Sequence, residues 1–219
     1  MRRTIVRLSL VMSTLFVAQK QLHAMESVPA LKKTERELGD ASAQKRCNAL
    51  VQLVENHKTA PVSEKLSRVN DFFNQVPYQS DIANWGSKDY WAAPLEMLSR
   101  GRADCEDYAI AKFFTLLQMG LPQEKLYLTF VRLPQNGELH FVLTYYETPD
   151  AIPLVLDNRS LQIRPVRFGE SLQPVYRFNL EEFVSYHDDG TQHHRAMEGM
   201  PFRKWQELTR RMRLAKLAT

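Results

Sequence analysis

Apolar side chains recur three and four residues apart between residues 47 and 119. Beyond residue 125 they tend to alternate, so the chain reads as helices followed by strands. Leu50, Val51 and Val54 predict a helix over about residues 47–56, and Pro61-Val62-Ser63 breaks it. Ser63 is expected to cap a second helix that carries Leu66, Val69, Phe72 and Phe73 on one face and stops before Pro77. Residues 78–94, rich in Asp, Asn, Gly and aromatics, read as loop, and residues 25–45 show no clear period. Pro94 opens a short helix that Gly101 closes. Asp104 starts the next, with Ala109, Ile110, Phe113, Leu116 and Leu117 as its apolar positions and Gly120-Leu121-Pro122 as its stop. The period then changes. Residues 126–133 and 138–146 read as strands joined by a hairpin turn at Pro134-Gln135-Asn136-Gly137, and residues 154–157 as a third, short strand. Further strands are expected near Val166 and over residues 175–178. A terminal amphipathic helix with a basic face (Arg203, Lys204, Arg210, Arg211, Arg213) is expected over 205–217, more as a solvated face than a docking surface. Helices first and an antiparallel meander after them make an α+β domain.

Candidate chemistry collects where these elements meet. Cys105 stands where a loop becomes a helix, and free N–H groups and a partial positive charge at a helix start favour thiolate over thiol. Asp104, Glu106 and Asp107 oppose that effect. Helix capping accounts for Asp104 but less well for three acids around one cysteine, and a bound cation would neutralise them. Alternation on the second strand places His140, Val142 and Thr144 on one face and Phe141, Leu143 and Tyr145 on the other. Asp157 ends the neighbouring strand, so antiparallel pairing would bring it to the His140 ring, to hold one tautomer and stabilise the charged imidazole. Nucleophile, base and orienter therefore follow in the order Cys105, His140, Asp157. Taken alone, His140 reads more often as a structural histidine, Asp157 often as a turn former and Cys105 usually as an inert buried thiol. Trp85, Tyr90 and Trp91 are candidates for a cleft wall or for core beneath the cysteine helix.

Composition changes this picture at two points. The first 24 residues have a positive start (Arg2, Arg3, Arg7), an apolar run over 8–18 and a small residue, Ala24, at a cleavage position. We therefore read residues 1–24 as a secretory signal peptide and 25–219 as one domain, because the run is too short to span a bilayer. Arg2, Arg3, Arg7 and Lys20 account for the whole formal charge of +4, so the remainder is near neutral and the basic pI does not point to nucleic acid. No later segment is apolar enough for stable membrane insertion. The two cysteines, Cys47 and Cys105, would be able to pair in an oxidising compartment, a purely structural alternative.

Asp89-Tyr-Trp-Ala-Ala-Pro-Leu-Glu96 and Asp104-Cys-Glu-Asp-Tyr-Ala-Ile-Ala-Lys112 resemble the bacterial transglutaminase-like cysteine proteases, in particular those of the LapG type. His140-Phe-Val-Leu-Thr-Tyr-Tyr146 and Pro153-Leu-Val-Leu-Asp-Asn158 are similar to that family's histidine and aspartate motifs, while Ala103 stands where a glycine is expected. The resemblance implies a papain-like or transglutaminase-like core, with the cysteine helix packed on an antiparallel sheet that carries His140 and Asp157. It implies a periplasmic, calcium-dependent endopeptidase with Asp104, Glu106 and Asp107 as the calcium-site acids. It implies as substrate the N-terminal region of a large surface adhesin, whose cleavage disperses a biofilm. It implies as regulator an inner-membrane receptor for cyclic di-GMP. For the oxyanion it leaves the Cys105 N–H, with a donor near Trp91. A transglutaminase or amidase on the same fold, and a non-catalytic calcium-dependent periplasmic binding module, remain open alternatives.

Overall fold

A computed structural model describes residues 40–187, 189–196 and 199–217. The signal read in residues 1–24 lies outside the described residues. The elements follow the expected order: α1 (Ala41–His57), α2 (Val62–Phe73), α3 (Asp81–Trp85), α4 (Pro94–Arg100), α5 (Cys105–Gln118), a 3-10 turn (Gln123–Lys125), β1 (Leu126–Arg132), β2 (Leu139–Tyr145), β3 (Leu154–Leu156), β4 (Arg164–Pro165), β5 (Gln173–Phe178), β6 (Phe183–Tyr186), β7 (Gln192–Arg195) and α6 (Met200–Leu217).

Helix α5 is the axis of the molecule. Every residue from Glu106 to Leu117 is buried, because α2 and α4 pack on one side and β1 and β2 on the other. A helix enclosed all round must be apolar all round, and the few polar residues in this run therefore need partners. The seven strands form one antiparallel sheet in the order β4-β3-β2-β1-β5-β6-β7. Its helix-facing side supplies Leu126, Leu128, Phe141, Leu143, Tyr145, Leu156 and Phe178 to the main core, and Trp205 of α6 stacks on Phe114. Val131, Val142, Val155 and Leu172 form a second, smaller core on the other face. The β1–β2 register pairs Val131 with His140 and Thr129 with Val142, so the expected alternation holds. Gly137, at φ 71°, supplies the left-handed backbone of the hairpin turn.

Two local expectations are corrected, and one structural alternative is ruled out. The second helix starts at Val62, with Pro61 at its N-cap and no side-chain cap, so Ser63 does not cap it. The loop expected over 78–94 contains the one-turn helix α3, which Gly86 closes in the left-handed conformation. No disulfide joins Cys47 to Cys105. None of the described helices is long and apolar enough to cross a membrane.

Candidate active site

Gly101 (φ 68°) ends α4 and turns the chain toward α5. The strand-like bridge between Tyr78 and Ala103 then holds the segment that delivers Cys105 to the first position of α5. Cys105 is half-buried, and its Sγ donates to Glu106 Oε2 at 3.2 Å and accepts from the Phe141 N–H. Phe141 follows His140, so this contact sets the sulfur against the His140–Phe141 peptide. His140 is completely buried. Its Nε2 lies 2.8 Å from Asp157 Oδ1, whereas Nδ1 is buried without a hydrogen-bond partner among the described residues. A carboxylate only accepts, so Nε2 carries the proton and Nδ1 keeps the lone pair a base needs. Asp157 is itself fixed: Arg159 N donates to Oδ1 at 2.9 Å and Asn74 Nδ2 to the Asp157 carbonyl at 2.8 Å. Burial pushes the Asp157 carboxyl up, but the hydrogen bond and charge of His140, the Arg159 N–H and the Lys112 charge more than offset it, and the net effect is downward.

The acids beside Cys105 do not behave as helix caps. Asp104 occupies the N-cap position, yet its side chain caps nothing, and its Oδ1 is buried with no partner among the described residues. Asp107 spends Oδ1 on the Ala92 N–H at 2.7 Å and leaves Oδ2 unsatisfied. Asp81, from α3, accepts the Tyr90 N–H on Oδ2 and leaves Oδ1 unsatisfied. Oxygens of Asp81, Asp104 and Asp107 lie within 4.8 Å of one another, as do those of Asp81, Asp89 and Glu106. Glu106 therefore belongs to a second, overlapping trio rather than to one with Asp104 and Asp107. Among the described residues the only ion pair of this cluster is Lys204 with Asp89. Burial first, and then the charges of Glu106, Asp107 and Asp81, push Asp104 up to about 10. Burial first, against the Tyr90 N–H, pushes Asp81 up to about 6, and Asp107 is raised mainly by burial. Three clustered carboxylates, each with one buried oxygen unsatisfied among the described residues, fit a hard divalent cation such as Ca²⁺.

Burial and then the Glu106 charge push the Cys105 thiol well above its ordinary range, and the Phe141 N–H only partly opposes this. The Trp91 indole donates to Asp89 Oδ1 at 3.1 Å. Trp91 is core, with its ring against Phe141 and Phe178, and Trp85 packs on Tyr90 with Arg100 over its face. The basic face of α6 is not merely solvated either. Arg211 pairs with Glu96 at 3.4 Å and donates to the Trp91 carbonyl, and Lys204 donates to the Asp89 carbonyl at 2.6 Å.

Residue-type reasoning missed Asp81 and Asp89. Asp81 precedes the Asp104 motif by more than twenty residues inside an unpatterned polar stretch, and nothing local marks it. Asp89 carries one weak signal, since it opens the Asp-Tyr-Trp motif, and its positive φ of 59° marks a constrained backbone.

Residues 40–176 match the family model of the bacterial transglutaminase-like cysteine proteinases. No curated protein sequence matches the chain. Among solved structures, EGTA-treated LapG of Legionella pneumophila superposes with a TM-score of 0.74 at 34% identity, over 85% of this chain and 97% of that one. The calcium-bound form of the same protein superposes with a TM-score of 0.73 at 34% identity, over 85% and 99%. The helix-on-antiparallel-sheet architecture is thus the LapG-like, transglutaminase-like fold.

Proposed function

Because the chain belongs to the bacterial transglutaminase-like cysteine proteinases, we propose that it is a calcium-dependent endopeptidase of the periplasm in which Cys105 is the nucleophile, His140 the base and Asp157 the orienting acid. The observation that carries this reading is the His140 ring, tied to Asp157 through Nε2 and left with a buried, unpartnered Nδ1 beside the peptide that touches Cys105 Sγ.

Nδ1 takes the Cys105 proton, and the imidazolium so formed is stabilised by the Asp157 carboxylate at 2.8 Å. The sulfur attacks the scissile carbonyl, and the Cys105 N–H, in the open first turn of α5, donates to the oxyanion. His140 then protonates the leaving amine as the C–N bond breaks and the thioester forms. Water, deprotonated by His140, releases the acid and regenerates the thiol. Asp81, Asp104 and Asp107 would hold the calcium ion, with Asp89 and Glu106 completing the overlapping trio around Asp81, and a bound ion would offset the negative charge that opposes thiolate formation beside Cys105.

The substrate in this reading is the N-terminal region of a large surface adhesin, whose cleavage frees it from the cell and disperses a biofilm. The regulator is the periplasmic domain of an inner-membrane cyclic di-GMP receptor. Entry to the periplasm is through the N-terminal signal. The test is cleavage of the host's adhesin N-terminal fragment by the mature chain, beside Cys105→Ala and a chelated sample. Cleavage by the wild type alone, restored to the chelated sample by added calcium, is the expected result. Incorporation of a fluorescent amine in place of hydrolysis would move the assignment to a transglutaminase. No reaction of either kind, from folded protein with calcium present, would favour a binding module.

A further inference from the structure

Lys112 lies in the middle of α5 and is wholly buried, at a position where an apolar residue would be easier to place. Its Nζ donates to Asn70 Oδ1 of α2 at 2.8 Å. Asn70, also wholly buried, turns its amide nitrogen to the carbonyls of Ser160 and Leu161 at 3.1 and 3.3 Å. One helical turn on, Asn74 Nδ2 donates to the carbonyls of Asp157 and Ser160 at 2.8 and 3.0 Å. Every link has a single sense. An amine only donates and a peptide carbonyl only accepts, so the orientation of the Asn70 amide follows from its partners. The loop 157–161 has no strand pairing of its own, and these amides are its anchors to the helical layer. Asp157 stands at the head of that loop and Asp157 Oδ1 meets His140.

We propose that Lys112 is a positioning residue: through Asn70 it locks the 157–161 loop against α2 so that Asp157 stays in register with the His140 ring. This rests on reading His140 and Asp157 as the catalytic pair. The helix that carries the cysteine would thereby also set the far end of the site, since α5 presents Cys105 at its start and, two turns later, the lysine that governs where Asp157 sits. Burial lowers Lys112 to about 7, and the Asp157 charge acts against that lowering, just as the Lys112 charge lowers Asp157.

The test uses Lys112→Met, which keeps the volume and removes the donor. It also uses Asn70→Asp, which keeps Lys112 paired with a carboxylate but cannot donate to the Ser160 and Leu161 carbonyls. Each is compared with wild type in calcium-loaded full-length mature protein by three readouts: thermal unfolding, steady-state kinetics on the adhesin fragment, and the proton resonance of His140 Nε2–H. Both variants are expected to fold. Each should lower kcat about 10–100-fold with KM within about twofold, as a displaced catalytic group does. Each should also shift or broaden the Nε2–H resonance, which a purely structural lysine would leave in place. A folded variant of either kind with wild-type kcat and an unchanged resonance overturns the proposal. If Lys112→Met does not fold, Asn70→Asp decides, and failure of both to fold also overturns it, since Lys112 would then serve the core rather than Asp157. The resonance needs no substrate. Wild-type protein that cleaves nothing but shows the shift in both variants would sink the protease reading and leave the positioning role standing.

Discussion

Cys105 Sγ stands between a donor that favours thiolate, the Phe141 N–H, and an acceptor that holds its proton, Glu106 Oε2 at 3.2 Å. Burial and the Glu106 charge outweigh the N–H, so without a cation the sulfur is a protonated thiol at neutral pH. Removing that charge should release it. Alkylation of Cys105 by iodoacetamide at pH 7 is expected to speed up about tenfold or more on adding calcium to chelated wild type, because one pKa unit is tenfold in thiolate at such pH. Glu106→Gln should show part of that gain without calcium. Equal rates in all samples would mean that the acids do not restrain the sulfur. The same residue shows how far local reasoning reaches. A cysteine at a helix start was legible from Asp104-Cys105 and the apolar run behind it, but the dipole argument by itself pointed to a lowered pKa, and burial of the thiol first, then the Glu106 charge, reverse its sign.

The connection between α4 and α5 decides where that cysteine is delivered. Arg46 of α1 donates Nε to the Leu98 carbonyl at 2.6 Å and Nη2 to the Ser99 carbonyl at 3.0 Å, which satisfies the open end of α4. Gly101 then reverses the chain at φ 68°, and a Cβ built there would lie 2.9 Å from Arg46 Cζ. The left-handed backbone favours glycine at this position, and the Arg46 guanidinium would have to shift to admit a side chain. Gly101→Ala should therefore cost about 1–3 kcal/mol of stability, read as the shift in a urea midpoint, and should lower activity more than a distant substitution of equal cost. A variant as stable as wild type would show that Arg46 swings away and that the turn tolerates a side chain. The glycine stop was visible in the sequence. The arginine packed against the turn comes from more than fifty residues away and was not.

On the scale of the whole molecule, the acid cluster couples stability to pH and to calcium. Asp81 at about 6, Asp104 at about 10 and Asp107 all titrate above their ordinary carboxylate range when no cation is bound. Groups raised on folding contribute stability that is complete below about pH 4 and is lost as pH rises through their folded values. Metal-free protein should accordingly lose thermal stability from about pH 4 upward, most steeply between about pH 4 and pH 6, above which the Asp81 contribution is already lost and the decline becomes shallower. Asp157, lowered on folding, acts in the opposite sense but only below about pH 4, so the two windows separate. Calcium at about a hundred times its Kd should raise Tm by about 5–10 °C at pH 8 and by much less at pH 5. A Tm indifferent to calcium at pH 8, measured by differential scanning calorimetry, would exclude a cation at these carboxylates.

The chain's own periodicities determined the order and type of its main elements. The helix that starts at Cys105, the hairpin at Gly137 and the face shared by His140, Val142 and Thr144 all follow from neighbours within a few residues, where backbone preference and apolar spacing act. Adjacent antiparallel strands then leave little freedom in where Asp157 meets His140. Only the tertiary structure decided what the buried polar groups are for. It brought Asp81 and Asp89 to the acids beside Cys105, turned Trp91 into the core, folded Lys204 and Arg211 onto the segment before α4, and ran Lys112 through Asn70 to the loop of Asp157. These partners are separated by tens of residues, and the need to satisfy a buried charge or amide is set by what closes over it, which no local pattern encodes.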